Sequence, residues 1–158
     1  MPHPLLETLR AARVIPVVRT HEARHAATAV QWLRDAGLRI FEITMTIPDA
    51  PALIRELAAD RALLIGAGTV PDRATAETCL AAGARFIVAP WIDASLAAPC
   101  RAANAALMLG ALTPTEVRAA LAAGAAFVGM GGALVDEKRV AAGDRAAIEA
   151  AAHQIAAA

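Results

Sequence analysis

The sequence predicts an α/β protein of the TIM-barrel type, with an incomplete (β/α) repeat of about six parallel strands and surrounding helices. Short apolar runs of strand length alternate with Ala-rich stretches of helix length, at a period of roughly 20 to 27 residues. Polar or glycine residues stand at or just past the ends of several runs, as in a barrel whose functional groups share one mouth. The 158 residues suit a single domain, 1–158, whereas eight-stranded barrels have roughly 250 residues.

Six runs are predicted to be strands because nearly all their residues are apolar, which is typical of parallel strands covered on both faces. They span residues 13–19, 39–45, 62–68, 85–90, 106–111 and 126–131. Helices are predicted near residues 21–36, 49–60, 72–82, 93–104 and 114–123, with a closing helix near 144–156. Gly37, Gly83 and Gly124 each follow a predicted helix, at the position where a left-handed cap favours glycine.

A doubly wound open sheet is the competing architecture. It would place a phosphate-binding glycine turn after the first strand, and residues 18–21 offer none. The polar groups and glycines at predicted strand ends favour the barrel type; they are Arg19, Glu42, Thr44, Thr69, Trp91, Thr113, Gly131 and Gly132. With too few strands for closure, we expect strands five and one to be unpaired edges, or strand six to close the sheet poorly. Either arrangement favours self-association.

The composition excludes several classes of function. Fifteen basic residues balance fifteen acidic ones, which removes the electrostatic case for binding nucleic acid or an anionic membrane. No apolar run is long enough for a membrane span and residues 1–13 lack a signal-peptide pattern, so a cytoplasmic protein is expected. Cys79 and Cys100 are isolated, and we expect them to be reduced and buried in helices. His21 and His25 have no third ligand in view, so we predict a solvated helix start rather than a metal site.

Glu42 is the most informative candidate residue. Strand alternation places Phe41 and Ile43 on one face and Glu42 and Thr44 on the other, which would point into a barrel lumen. Burial of a mid-strand carboxylate raises its pKa toward values that suit proton transfer. The alternative is a structural ion pair with Arg19, and both interpretations fit the sequence.

Two glycine-containing segments end later strands. In GAGTV, residues 66–70, the glycines permit close backbone approach and the Thr69 hydroxyl can hold a carboxylate or carbonyl oxygen. In GMGGALVD, residues 129–136, glycines lead into a short helical turn whose backbone amides suit phosphate. A tight turn is the alternative explanation for each segment.

Taken in order, the segments resemble one family. VIPVVR, AGLRIFEITMTIPDA, IGAGTV, AAGARFIVAP, LGALTPTEV and VGMGGALVDEKRVAAGD are similar to the 2-keto-3-deoxy-6-phosphogluconate (KDPG) and 4-hydroxy-2-oxoglutarate (KHG) aldolases. The resemblance implies a (β/α)8 barrel, usually a homotrimer, that cleaves a 2-keto acid, phosphorylated or not, into pyruvate and an aldehyde. It also implies a Schiff base on a lysine, with no metal or other cofactor.

The resemblance implies roles for the matching residues. Glu42 would be the general acid/base. The implied substrate contacts are Arg19, near the pyruvate carboxylate, together with Thr69, Thr44 and Pro90. Gly131 and Gly132 would form half of a phosphate site. Thr46 stands where many members of the family carry a pyruvate-binding arginine.

The principal departure from the family is the lysine. In the family two βα units, the first bearing the lysine, lie between the helix after TPTEV and the final strand. Here LAAGA, residues 121–125, leads directly into AFVGMGG, as a deletion between two similar LAAGA segments would produce. The only lysine, Lys138, lies beyond the last strand among acids, where a solvated amine stays protonated, and arginine cannot replace it.

We therefore expect aldol cleavage to be weak or lost. Three functions stay open at this point: a residual lyase, a non-catalytic binder of pyruvate or a small carboxylate, and a degenerate fragment that only assembles with other copies.

Overall fold

A computed structural model describes residues 4–90, 94–109, 128–130 and 135–156. Its six strands form one sheet in the order β5-β4-β3-β2-β1-β6, and every neighbouring pair is parallel. The strands are β1 (Val14–Val18), β2 (Ile40–Thr44), β3 (Leu64–Gly68), β4 (Phe86–Ala89), β5 (Ala106–Leu109) and β6 (Val128–Met130). Each of the six predicted strands is confirmed, and so is the α/β class.

Helices connect and flank the strands. They are α1 (Pro4–Ala12), α2 (Ala23–Asp35), α3 (Ala50–Ala58), α4 (Arg73–Ala81), α5 (Ala97–Ala102), α6 (Glu137–Ala141) and α7 (Arg145–Ala156), with a 3₁₀ turn at Ala94–Leu96 before α5. The predicted helix at 114–123 lies outside the described residues, and α1 was not predicted. Within the part of the chain that the structure describes, none of the helices combines the length and apolar character that a membrane span requires.

Glycine caps end two of the helices as predicted. Gly37 follows α2 with φ +102° and Gly83 follows α4 with φ +109°, conformations that cost glycine little. Gly124 lies outside the described residues. Cys79 in α4 and Cys100 in α5 are free and buried, as expected.

The two faces of the sheet pack differently. On the outer face, Phe41 and Ile43 join a large apolar cluster with residues of the flanking helices, such as Val30 of α2. On the inner face, a second cluster is formed by Leu5, Leu9, Ile15, Ile40, Phe86, Val88, Ala106 and Met108. The predicted alternation along β2 is therefore confirmed, and α1 covers the inner face beside the strand starts through Leu5 and Leu9.

The position of β6 decides between the expected arrangements of the sheet. β6 pairs with β1, with Val14 opposite Val128 and Pro16 opposite Met130. The expectation that strand one would be an unpaired edge is therefore wrong, because the final strand occupies that side. In the described part of the sheet the outermost strands are β5 and β6, and no described pairing joins them.

Candidate functional site

The candidate site lies at the edge of the sheet that is formed by the carboxyl ends of its parallel strands. Glu42 stands in β2 with Val17 of β1 on one side and Gly66 of β3 on the other, and it is 4% exposed. A Cβ built at Gly68 would fall on the Glu42 carboxyl group, so only glycine leaves the space that this side chain fills. The close approach anticipated for the GAGTV glycines is thus made by a carboxyl group.

Burial governs the acidity of Glu42. Loss of solvation raises the pKa of Glu42 to about 7, while the positive charge of Arg19 acts in the opposite direction. Among the described residues no ion pair joins the two side chains, which disfavours the interpretation of Glu42 as a structural ion pair. Glu42 can therefore hold or release a proton near neutral pH.

Arg19 and Thr69 are in direct contact. Nη2 of Arg19, just past β1, donates a hydrogen bond to Oγ1 of Thr69, just past β3, over 3.0 Å. Thr69 has φ +55°, a left-handed conformation that costs a β-branched residue about 1–3 kcal/mol. The Val70 N–H donates to the Val88 carbonyl at 3.1 Å, and this bond holds the turn against β4. The strained turn thus directs the Thr69 hydroxyl toward the guanidinium.

Thr44 supports the same edge of the sheet. Its buried hydroxyl donates to the Val18 carbonyl at 3.2 Å and lies 2.8 Å from the hydroxyl of Thr46. Because Val18 immediately precedes Arg19, this bond fixes the backbone from which the guanidinium extends. Pro90 follows β4 at the same edge of the sheet and is exposed. Gly131 and Gly132 lie outside the described residues.

A cavity of about 690 Å³ adjoins this group. It lies between the end of β1, the start of α2, and α6, and its described lining is Arg19, His21, Glu22, His25, Val135, Asp136, Glu137, Lys138 and Ala141. Of these residues only Arg19 also belongs to the group around Glu42. Lys138 is exposed on α6.

Glu137 joins α6 to the start of α2. Its Oε1 accepts the His21 N–H at 2.7 Å and lies 3.2 Å from Nδ1 of His25. Partial burial raises the pKa of Glu137, but the hydrogen bonds from His25 and His21 and the charges of their rings outweigh burial and lower it. The predicted solvated pair of histidines holds for His21, whose side chain is 96% exposed, and is wrong for His25, which is 17% exposed.

Sequence reasoning missed this carboxylate because Glu137 lies 112 residues from His25. No spacing rule links residues so far apart; only the pairing of β6 with β1 brings them together. In the described ranges, no group of three or more His, Cys, Asp or Glu side chains is arranged to hold a metal ion.

Comparison with known proteins gives one consistent result. The sequence matches the family model described as KDPG and KHG aldolase over residues 5–133. The 2-dehydro-3-deoxy-phosphogluconate aldolase of Treponema pallidum is 34% identical over 127 residues, which are 78% of this chain and 60% of that protein. The enzyme of that name from Haemophilus influenzae is 30% identical over 125 residues, 78% of this chain and 59% of its own length. The chain thus spans about 60% of the length of these relatives.

Solved structures agree on the fold. The KDPG aldolase of Legionella pneumophila, captured with pyruvate as a covalent carbinolamine intermediate, superposes with a TM-score of 0.77 at 21% identity, covering 93% of this chain and 96% of that one. The 2-keto-3-deoxy-6-phospho-gluconate aldolase of Zymomonas mobilis gives a TM-score of 0.58 at 28% identity, covering 78% of this chain and 59% of that one.

Proposed function

This chain belongs to the KDPG and KHG aldolase family, and from that premise we propose that it binds pyruvate or a related 2-keto acid while its Schiff-base catalysis is weak or lost. The observation that carries the proposal is the setting of the one lysine in the sequence, which lies on a helix and not on a strand. The Glu42 carboxyl and the Arg19–Thr69 pair meet at one edge of the sheet, whereas the only lysine is exposed on α6.

Each group has a task that suits a small 2-keto acid. The guanidinium of Arg19 retains N–H donors beyond the one given to Thr69, and these donors can bind a carboxylate. Glu42, which is protonated up to about pH 7, can donate a hydrogen bond to the keto oxygen or exchange a proton with the adjacent carbon. Thr69 holds Arg19 in place and is itself a polar contact.

Cleavage needs one further group. In Schiff-base chemistry a neutral amine attacks the keto carbon, water leaves, and the imine nitrogen draws electrons from the bond that breaks. Arginine stays protonated and cannot perform that attack. Lys138 lies exposed on α6, beyond the last strand, so no strand carries an amine beside Glu42. The group around Glu42 thus retains binding residues without a strand-borne nucleophile.

Pyruvate titration by calorimetry tests the binding part of the proposal. We expect saturable binding that weakens about tenfold or more in Arg19→Gln, because a charge-assisted hydrogen bond is lost. Arg85→Gln is the matched control, because Arg85 is an exposed arginine just before β4, at the edge of the sheet that the amino ends of the strands form. This variant should bind pyruvate with the affinity of the wild type. Absence of pyruvate binding, or equal affinities in both variants, would refute the proposal.

Borohydride trapping tests the catalytic part. Incubation with pyruvate and borohydride reduces any imine to a stable adduct that mass spectrometry locates on a peptide. We expect no more adduct than in Lys138→Arg, which keeps the charge but has no reactive amine. An adduct on Lys138, together with release of pyruvate from a keto acid, would instead establish a residual lyase. The one observation that favours this alternative is that Lys138 and Arg19 line the same cavity.

Self-association is a further part of the proposed function. The described sheet has β5 and β6 as its outermost strands, and Leu107 of β5 is 37% exposed. Unpaired strand edges with apolar residues favour pairing with other copies. Light scattering coupled to gel filtration should give a homo-oligomeric mass; a monomer at all concentrations would contradict this part.

A further inference from the structure

A contact between two sulfur atoms lies next to the candidate site and has no part in the proposed function. The thiol of Cys79, in α4, donates a hydrogen bond from Sγ to Sδ of Met45 over 3.3 Å. Met45 directly follows β2, and its N–H donates to the Gly68 carbonyl at 2.8 Å. Its side chain packs against the apolar cluster on the outer face of the sheet. One side of the Met45 sulfur is therefore closed by the thiol.

The sulfur-bearing side chains differ in their access to an oxidant. Cys79 is buried, and burial raises the pKa of its thiol to about 11, so that little of the reactive thiolate exists near neutral pH. A thioether reacts without ionising, and Met45 is only half-buried. Cys100 and Met108 are buried. Among the sulfur-bearing side chains whose burial the structure describes, Met45 is thus the accessible one.

We propose that Met45 is a modification site, which hydrogen peroxide oxidises to methionine sulfoxide, and that this change loosens the edge of the sheet from which Arg19 extends. The thioether sulfur attacks one peroxide oxygen, and the O–O bond breaks as the S–O bond forms. The proton of the attacked oxygen passes to the departing oxygen, which leaves as water. The sulfur is oxidised by two electrons, and the peroxide is reduced by the same two.

The sulfoxide does not fit the space that the thioether occupies. The side of the sulfur that Cys79 covers has no room for an added oxygen, because the two sulfur atoms are in contact. A sulfoxide is also polar, and burying it against the apolar cluster without a full set of hydrogen bonds costs free energy. The oxidised side chain of Met45 must therefore turn outward, away from α4.

The neighbours of Met45 transmit this displacement to the candidate site. Thr44 precedes it and Thr46 follows it, and their hydroxyl oxygens lie 2.8 Å apart. The Thr44 hydroxyl also donates to the carbonyl of Val18, the residue before Arg19. Movement of the backbone at Met45 therefore disturbs the hydrogen bonds that fix Arg19. The inference rests on the proposed function only where pyruvate binding is measured; the modification itself rests on the sulfur contact and on exposure.

Peptide mass spectrometry of the whole chain after brief treatment with hydrogen peroxide tests the modification. We expect one added oxygen on the peptide that contains Met45, formed about tenfold faster than on the peptide that contains Met108. Met108 is the matched control within the same molecule, because it has the same chemistry and is buried. In concentrated urea the two rates should become equal, since the selectivity comes from the fold.

Met45→Leu tests the consequence, because leucine fills a similar volume and has no sulfur. The oxidised wild type should melt about 3 °C or more below the untreated protein and bind pyruvate about tenfold more weakly. Treated Met45→Leu should keep both its melting temperature and its pyruvate affinity.

Three results would overturn the inference. They are equal oxidation of Met45 and Met108 in the folded protein, oxidation of Cys79 in place of Met45, and a melting temperature of the wild type that oxidation leaves unchanged. Failure of the proposed function gives a different result, namely no pyruvate binding before treatment. In that case the oxidation rates and the melting temperatures still decide whether Met45 is a modification site.

Discussion

Replacing Glu42 by glutamine tests the protonation state on which the site depends. Each tenfold change in an acid dissociation constant is worth about 1.4 kcal/mol, so raising the pKa of Glu42 from 4.5 to about 7 corresponds to about 3 kcal/mol. The side chain is 4% exposed, so solvent screening removes little of that value. Glutamine keeps the shape and cannot ionise.

The sign of the effect follows from proton binding. Between pH 4.5 and about 7 the folded protein retains a proton on Glu42 that the unfolded chain has lost. The stability that Glu42 contributes is therefore complete below pH 4.5, the pKa in the unfolded chain. It is lost as the pH rises through about 7, the pKa in the folded protein. Glu42→Gln should escape that loss and become progressively more stable than wild type toward alkaline pH.

Urea denaturation at a series of pH values measures the difference. From about pH 5 to about pH 8.5, the unfolding free energy of Glu42→Gln minus that of wild type should rise by about 2.5 kcal/mol. Any constant cost of the amide cancels in that change. Glu56→Gln removes the same charge from an exposed position on α3 and should give a flat difference. A flat or falling difference for Glu42→Gln would show that Glu42 is ionised in the folded protein and refute the reasoning.

Three further predictions concern the same edge of the sheet. Gly68→Ala should displace the Glu42 carboxyl, lower the unfolding free energy by about 1–3 kcal/mol and weaken pyruvate binding; normal values in denaturation and calorimetry would contradict the close contact. Thr69→Gly should relieve left-handed strain and unfold with up to about 1 kcal/mol more free energy than Thr69→Ala, while both lose the hydroxyl that Arg19 contacts; the reverse order of stability would disprove the strain. Glu137→Gln should lower the melting temperature at neutral pH, and the deficit should shrink as the pH falls through the lowered pKa of the native carboxylate; a deficit that is independent of pH would rule out a charged role.

The strands could be predicted from the sequence because each is marked by a local pattern of apolar residues. Strands such as Phe86–Ala89 are apolar on both sides and bounded by glycine or proline, so their position needs no long-range information. Helix α1 was missed because its helical character depends on where Leu5 and Leu9 pack, beneath the inner face against Ile15 and Phe86. A short amphipathic segment before the first strand carries no sign of that partner.

The same distinction between local pattern and long-range contacts applies to the residues of the candidate site. The position of Glu42 follows from strand alternation, and its burial follows from its place in the middle of a strand, on the face that points into the lumen. The bond from Arg19 to Thr69 depends on a left-handed threonine, a conformation that a sequence alone does not indicate for a β-branched residue. The contact between Glu137 and His25 forms only because β6 pairs with β1. Motif spacing does not indicate which side of the sheet β6 joins.

The pairing of β6 with β1 also orders the folding reaction. Strands β1 to β5 each pair with their sequence neighbour, whereas Val128 must return to Val14 from near the other end of the chain. Closing so long a loop costs entropy before any contact forms, so we expect the five-stranded part to assemble first and the last strand to dock late. Pulsed hydrogen exchange should then protect the amides of β6 after those of β3. The cavity beside Arg19 would consequently form only after β6 has docked, because residues 135–141, which complete its lining, follow that strand.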